Sequence, residues 1–224
     1  MKVSFDKVSK KYGVIHALNN ISFEIKSGEF VFIIGNSGAG KSTLLKLLLN
    51  QIKPSSGQIF INDIELQENN RKDIDTMRRQ IGVIFQDYQL IPDKSVEENI
   101  LLNLDIIGIP ENQRLNRIES VLKLVNLSSR RYLFPSQLSA GELQRASLAR
   151  ALAVEPKLIL ADEPTGNLDI ENAWNLLKLL KKINKEKNTT IIMTTHNQDI
   201  INSLNDRIIV LKDGELVKDS KNKK

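Results

Sequence analysis

Residues 35–42 have the composition and spacing of a loop that binds phosphate groups. They read Gly-Asn-Ser-Gly-Ala-Gly-Lys-Ser, which fits the pattern G-x4-G-K-S. Small residues allow successive backbone N–H groups and the positive end of a following helix to approach phosphate oxygens. Lys41 would reach the β- and γ-phosphates of a nucleoside triphosphate, and Ser42 would bind Mg²⁺. The predicted nucleotide-contacting set is Gly35, Asn36, Ser37, Gly38, Ala39, Gly40, Lys41, Ser42 and Thr43.

Two adjacent carboxylates follow an apolar run at residues 158–161. Side chains that are adjacent on a strand point in opposite directions, so Asp162 and Glu163 are expected to have different roles. Asp162 suits a Mg²⁺ ligand, often through water, because this cation prefers hard oxygen ligands. Glu163 suits a base that orients an attacking water. The alternative is that these are two surface acids at a strand end. The predicted phosphate-binding loop elsewhere in the chain favours the catalytic interpretation over that alternative.

Alternating strand and helix patterns surround these residues and predict an α/β fold. Residues 21–25 alternate as a half-buried strand, residues 27–28 turn the chain, and residues 30–34 form the apolar run of a central parallel strand. A helix is predicted from Lys41 to about Asn50. Further along, the pattern predicts a turn at residues 54–57, a strand at 58–61, and a strand at 81–85 after the basic segment 78–80.

Residues 95–154 change to helical spacing and predict an inserted helical segment. Strand patterns resume at residues 158–161, 189–194 and 208–211, and the last is followed by a hairpin turn at Asp213-Gly214. An amphipathic helix is predicted for residues 170–185. It contains Trp174, which we interpret as a packing residue.

Composition narrows the classes of function. The 224 residues include no cysteine, which suits a reducing compartment and excludes thiol catalysis. No run reaches the roughly 20 apolar residues of a membrane span, and no signal core is found, so a cytoplasmic protein is expected. The net charge of +5 arises from 32 basic and 27 acidic residues that are interleaved, which argues against a nucleic-acid footprint. Residues 219–224 are predicted to form a basic, unfolded tail.

A phosphate loop and an acidic strand end fit kinases, GTPases, helicases and transporter motors alike. Residues 138–145, Leu-Ser-Ala-Gly-Glu-Leu-Gln-Arg, narrow the choice because they resemble the signature motif of ABC transporter ATPases. The other family elements then fall in order along essentially the whole chain. They are Tyr12 at the adenine-stacking position, Gln86 in the Q-loop, Asn167, Leu168 and Asp169 in the D-loop, and His196 in the H-loop.

The resemblance implies roles for these residues. Ser139 and Gly141 would contact the γ-phosphate bound by a second copy of the chain, with Glu142 in the same ATP-contacting set; Ser139 and Glu142 also fit a helix capping box. Ala140 departs from the glycine usual in the family, which restricts close backbone approach. The resemblance likewise implies that Gln86 acts in catalysis and as a Mg²⁺ ligand, although alone it is an ordinary polar strand end.

Two further positions carry alternatives. Tyr12 would stack on adenine, but taken alone it is more typical of a packed aromatic at a strand end. His196 would hydrogen-bond the γ-phosphate as a neutral imidazole and hold Glu163 and the water in line. The other histidine, His16, is assigned no role.

The implied fold is the ABC ATPase fold, a P-loop NTPase with a RecA-like parallel-sheet core, an antiparallel β subdomain and an inserted helical subdomain. Residues 1–86 and 157–218 would form the core with the β subdomain, and residues 87–156 the helical subdomain. Two copies would bind two ATP molecules head to tail. The surface between Gln86 and the helical insertion would transmit the motion to a membrane protein.

Residues 78–82 and 85–99 are similar to the FtsE cell-division ATPases. That resemblance implies an FtsX-like integral membrane partner, a site at the inner face of the cell membrane, and control of peptidoglycan hydrolases without solute transport. Residues 163–169 are shared with lipoprotein-release and macrolide-efflux ATPases, which remain the alternative. A soluble ABC protein that acts on ribosomes or nucleic acid is the distant alternative, because such proteins usually carry two cassettes or long coiled-coil insertions.

Overall fold

A computed structural model describes residues 1–66, 71–197 and 206–220. The strands are β1 (Val3–Tyr12), β2 (Ile15–Ile25), β3 (Phe30–Ile34), β4 (Ser56–Ile61), β5 (Ile64–Glu65), β6 (Ile81–Ile84), β7 (Leu158–Asp162), β8 (Thr190–Thr195), β9 (Arg207–Lys212) and β10 (Glu215–Asp219). The helices are α1 (Lys41–Leu48), α2 (Arg71–Arg78), α3 (Val96–Ile107), α4 (Glu111–Leu124), α5 (Ala140–Ala153) and α6 (Ile170–Lys187), with 3-10 turns at Ser128–Arg130 and Pro135–Gln137.

A six-stranded sheet forms the centre of the fold, in the order β10-β9-β3-β8-β7-β6. Its strands β9, β3, β8, β7 and β6 are parallel, and β10 pairs antiparallel with β9 at one edge. Strands β3, β7 and β8 are covered on both faces, which explains their uninterrupted apolar runs. Because the strands are parallel, the carboxyl ends of β3, β6, β7 and β8 meet at the same edge of the sheet.

A four-stranded antiparallel sheet, ordered β2-β1-β4-β5, covers one side of the molecule. Its buried side chains, including Val3, Phe5 and Ile25, share a hydrophobic core with residues of α1 and β3. Phe5 and Phe23 stack across the β1–β2 pair with ring centroids 4.7 Å apart. The predicted combination of a parallel core with an antiparallel β layer is confirmed.

The predicted helical insertion is also confirmed, as α3, α4 and α5. Apolar residues of these helices share a second core with α6, and Trp174 packs against it as predicted. Asn99 is 1% exposed and fixes the loop before α3, since its side chain bonds Ile91 N, Ile91 O and Lys94 O at 2.8, 3.1 and 2.9 Å. The loop that follows β6 is therefore fixed by side chains of the helical segment.

Several boundaries differ from the prediction. Ser56 and Gly57, expected in a turn, begin β4, and Asp219, expected in the tail, ends β10. Ser220 also accepts a hydrogen bond from Ile208 N at 2.8 Å, so residues 219 and 220 belong to the fold; the rest of the predicted tail, residues 221–224, lies outside the described residues. The sequence analysis predicts no strand at β1, β5 or β10 and no helix at α2, because the apolar patterns of these segments are weak or short. No helix in the described ranges is both long and apolar enough to cross a membrane.

A buried network of ion pairs and hydrogen bonds is centred on Arg207 of β9. The Arg207 side chain is 7% exposed and donates to both carboxylate oxygens of Asp219, at 2.9 and 2.7 Å. It also donates to Glu24 O at 2.7 Å and to Glu29 Oε2 at 3.1 Å. One guanidinium therefore links β9 to β10, β2 and the turn before β3.

We expect Arg207→Met to lower the free energy of unfolding by about 3 kcal/mol, because it removes the cation from a buried ionic cluster. Urea denaturation measures this change. The matched control is Lys182→Met, whose pairing with Glu186 joins two largely exposed side chains and should change stability by less than about 0.5 kcal/mol. Equal effects of the two substitutions would show that the network contributes nothing beyond a surface pair.

Candidate functional site

The phosphate loop connects β3 to α1 and is closely surrounded by backbone. Gly40 has φ +102°, and a Cβ atom there would lie 2.5 Å from Ala17 O of β2. A Cβ atom on Gly35 would lie 2.3 Å from Leu211 O of β9. Both positions exclude a side chain. At Gly40 the left-handed backbone and the close contact both exclude it, whereas at Gly35 the close contact alone does. The glycines that the motif requires thus also allow two strands to pack against the loop.

Lys41, the first residue of α1, points back into the loop. It is 6% exposed, and its Nζ donates to Gly35 O at 2.8 Å and to Asn36 O at 3.2 Å. Nζ also forms an ion pair with Glu163 Oε1 at 3.2 Å. The ammonium group therefore lies inside the cradle, held by oxygens that phosphate oxygens of a nucleotide can replace.

Thr194 positions both carboxylates, although the sequence analysis did not single it out. Its Oγ1 donates to Asp162 Oδ1 at 2.7 Å and accepts from Glu163 N at 2.9 Å. Thr194 is completely buried in β8, opposite Asp162 in the parallel register. The available signal was the pair Thr194-Thr195, which follows three apolar residues at the carboxyl end of β8.

Glu163 lies just beyond β7, with φ +44°. The prediction assumed that Asp162 and Glu163 alternate on one strand; this is wrong, because the backbone turns left-handed at Glu163. The two acids are nevertheless separated as expected. Asp162 Oδ1 lies 3.4 Å from Ser42 Oγ, whereas the Glu163 carboxylate contacts Lys41 and His196 Nδ1. The structure thus brings Lys41, Ser42, Asp162, Glu163 and His196 into one cluster.

The oxygen donors of this cluster fit Mg²⁺. Ser42 Oγ and Asp162 Oδ1 are hard ligands at neighbouring positions. Within the described residues no group of three or more His, Cys, Asp or Glu side chains could hold a metal ion. The two oxygens of Ser42 and Asp162 match Mg²⁺, because this cation keeps several waters and takes its remaining ligands from substrate phosphates.

Gln86 follows β6 and lies on the same side of the sheet. Its backbone O accepts a hydrogen bond from Asn167 Nδ2 at 2.9 Å. Ser42, Gln86, Asp162 and Asn167 together line a cleft of about 450 Å³. The structure therefore places the predicted Q-loop and D-loop residues beside the proposed cation ligands.

Tyr12 ends β1, and its side chain is 46% exposed. Lys10 Nζ lies 5.0 Å from the centroid of its ring, a cation–π distance. The neighbouring strand β2 carries Ala17 and Leu18, against which Gly40 packs. The aromatic ring thus belongs to the hairpin that supports the phosphate loop.

Ser139, Gly141 and Glu142 form a separate surface. Ser139 is the N-cap of α5, in a capping box with Glu142. Arg130 Nε donates to Glu142 Oε1 at 2.8 Å, and this bond is the main reason that the pKa of Glu142 falls to about 2. Ala140 is exposed in the first turn. In the described chain Ser139 and Glu142 form hydrogen bonds with each other, and Glu142 also bonds Arg130. None of these bonds reaches the phosphate loop.

The D-loop residues connect the two surfaces. Asp169 caps α6 by accepting from Asn172 N at 2.8 Å. Asn172 also lies beside Gly141, since a Cβ atom on Gly141 would be 3.4 Å from its side chain. Asn167 reaches the Gln86 backbone as described above. The segment between Glu163 and α6 therefore contacts the backbone of Gln86, and the first turn of α6, which Asp169 caps, lies against the first turn of α5.

Comparison with known proteins agrees with this geometry. Residues 18–166 match the family described as ABC transporter. The cell division ATP-binding protein FtsE of Bacillus subtilis (strain 168) is 44% identical over 218 residues, which cover 97% of this chain and 95% of that protein. FtsE of Streptococcus pneumoniae (strain D39) is 42% identical, with coverage of 96% and 93%. A methionine import ATP-binding protein, MetN of Mesorhizobium japonicum, is 41% identical and matches 94% of this chain but 58% of its own length.

Solved structures show the same architecture. The dimeric ATP-binding cassette MJ0796 in a post-hydrolysis state, bound to ADP and Pi, superposes with a TM-score of 0.89 at 37% identity, over 99% of both chains. The cbiO1 subunit from Clostridium perfringens gives a TM-score of 0.87 at 33% identity, over 97% of this chain and 87% of that one. The predicted fold class is confirmed.

Proposed function

The chain belongs to the ABC transporter family as an ATPase, and we propose that it is the FtsE-type subunit of a membrane complex that controls peptidoglycan hydrolases during cell division. The observation that supports the proposal is the match to FtsE proteins at 42–44% identity, over nearly the full length of this chain and of those proteins. The clustered Lys41, Ser42, Asp162, Glu163 and His196 give the ATPase activity within that assignment a chemical basis.

Hydrolysis requires stabilisation of the charge on the phosphates and alignment of a water more than covalent chemistry. Lys41 exchanges its backbone and Glu163 partners for β- and γ-phosphate oxygens. Ser42, Asp162 and Gln86 would hold Mg²⁺, which neutralises the phosphate charge when it is bound. Glu163, released from Lys41, accepts a hydrogen bond from the attacking water, and His196 orients the Glu163 carboxylate. Tyr12 stacks on the adenine.

One copy of the chain supplies only part of each ATP site. Ser139, Gly141 and Glu142 bond away from the phosphate loop of their own chain, and Ser139 is exposed. In a head-to-tail dimer these residues face the γ-phosphate held by the other copy. The similar cassette MJ0796 is described as dimeric, which supports this arrangement. ATP binding then closes the dimer and release of the products opens it.

A groove beside the Q-loop is the proposed contact for the membrane partner. It has a volume of about 360 Å³ and lies between α2 and α3, with Arg78, Arg79, Asn103 and Ile106 in its lining. Ile106 is 60% exposed. A second, smaller groove continues from it through Asn103 to Gln89. An FtsX-like protein that inserts a short helix here would respond directly to movement of the loop after Gln86.

We expect the chain to co-purify with the membrane protein encoded in the adjacent reading frame. Ile106→Glu should reduce the recovered complex at least about tenfold, because it replaces the exposed apolar side chain of the groove with a carboxylate that binding would desolvate. The control is Leu115→Glu on α4, a site that is also half exposed but lies outside the groove. A partner with four spans and a small extracytoplasmic domain supports the FtsE assignment. A partner with a large extracytoplasmic domain would replace it with a lipoprotein-release or efflux ATPase.

A further inference from the structure

The two hydrogen-bond donors of Ser139 share one acceptor, a carboxylate oxygen of Glu142. The Ser139 backbone N–H and hydroxyl donate to Glu142 Oε2, at 2.9 and 2.8 Å. Ser139 Oγ in turn accepts from Glu142 N at 3.4 Å. The orientation of the serine hydroxyl, on which the proposed contact with the γ-phosphate depends, is therefore set by Glu142.

Glu142 poses an electrostatic problem for such a site. A carboxylate next to the predicted position of a triphosphate repels it, and this repulsion is strong where solvent is excluded by a closing dimer. Its low pKa, about 2, keeps the group ionised at neutral pH. A proton therefore does not remove the charge, and a neighbouring cation has to compensate for it.

Arg130 is the cation placed to do so. Its Nε donates to Glu142 Oε1 at 2.8 Å, on the oxygen that Ser139 does not use. The 3-10 turn holds Arg130 in place, since Arg130 N donates to Leu127 O at 2.9 Å and Leu133 N donates to Arg130 O at 3.0 Å. The next residue, Arg131, is engaged elsewhere by two carboxylates on α3 and α4.

We propose that Arg130 is a positioning residue for ATP bound by the partner copy, acting by neutralising Glu142 and fixing it as the orienter of Ser139. This proposal rests on the head-to-tail dimer proposed above. When ATP docks, Ser139 turns its O–H from Glu142 Oε2 to a γ-phosphate oxygen. Glu142 keeps its bonds to Arg130 and to Ser139 N. Without Arg130, the carboxylate both retains the hydroxyl and repels the phosphate.

The test is a double-mutant cycle that measures the ATP concentration at half-maximal dimer formation, by sedimentation with Mg-ATP. All chains carry Glu163→Gln so that turnover does not interfere. We expect Arg130→Gln to raise that concentration about tenfold, and Arg130→Lys to raise it less. In a Glu142→Gln background, where there is no charge to neutralise, Arg130→Gln should change the concentration by less than about twofold.

The control is Arg117→Gln, which removes an arginine that lies at the carboxyl-terminal end of α5, where it contacts Ala153 O and the exposed Glu155. This end of the helix is opposite to Ser139, so the substitution should leave the midpoint unchanged. A purely structural role for Arg130 predicts the same loss in both Glu142 backgrounds, and that result would overturn the inference. So would an unshifted midpoint in Arg130→Gln while the parent dimerises normally. Failure of the parent itself to dimerise would instead refute the proposed function.

Discussion

Glu163→Gln should reduce steady-state ATP turnover by about 10²-fold or more and should trap an ATP-bound dimer. The carboxylate contacts Lys41 and His196 at the end of the sheet, and in the proposed mechanism it orients the water that attacks the γ-phosphate. General-base assistance of this kind contributes roughly 10²–10⁴-fold, and a neutral amide cannot provide it. The nucleotide-binding residues remain intact, so the chain still binds Mg-ATP and closes. Phosphate release measures turnover, and sedimentation with Mg-ATP measures the dimer.

The control for this experiment is Glu155→Gln. Glu155 is an exposed acid whose partner is Arg117, so its substitution should leave turnover at the parental rate. Parental turnover by Glu163→Gln would show that another group orients the water. Loss of ATP binding by Glu163→Gln would mean that the Lys41–Glu163 pair holds the phosphate loop in shape, and it would change the role of Glu163 from base to structural partner.

The phosphate loop and the sheet edge could be predicted because their local patterns are short and self-contained. The pattern of residues 35–42 requires glycines that the backbone contacts of Gly35 and Gly40 explain. The apolar runs of β3, β7 and β8 are strands buried on both faces. Parallel pairing then brings the residues that follow each strand to one edge, without further information from side chains.

Other parts of the site depend on contacts between distant segments, which a single sequence does not reveal. Thr194 is one of several threonines, and only the β7–β8 register places its hydroxyl between Asp162 and Glu163. Arg130 lies in a polar loop, and its role follows from an ion pair with Glu142 of α5. Strand β1 contains too many polar residues to predict from alternation, and it is defined by pairing with strands on both sides.

Lys41→Ala should fail at an earlier step than Glu163→Gln, with a loss of ATP affinity of at least about 10²-fold. Lys41 is 6% exposed and already directs its Nζ into the loop, bonding Gly35 O and Asn36 O. Hydrogen bonds from a charged group contribute about 1.5–3 kcal/mol each, and two of them to phosphate oxygens account for this loss. Titration of Mg-ATP by calorimetry measures the dissociation constant directly.

The contrast between the two variants separates binding from chemistry, because both residues belong to one ion pair. A control is Lys182→Ala, an exposed lysine in the second half of α6 and outside the candidate site, which should keep parental affinity. If Lys41→Ala bound Mg-ATP as tightly as the control, the ammonium would serve chiefly to neutralise Glu163 in the nucleotide-free chain. The backbone N–H groups of residues 35–41 would then have to supply the binding energy, so the glycines and not the lysine would determine affinity for the triphosphate.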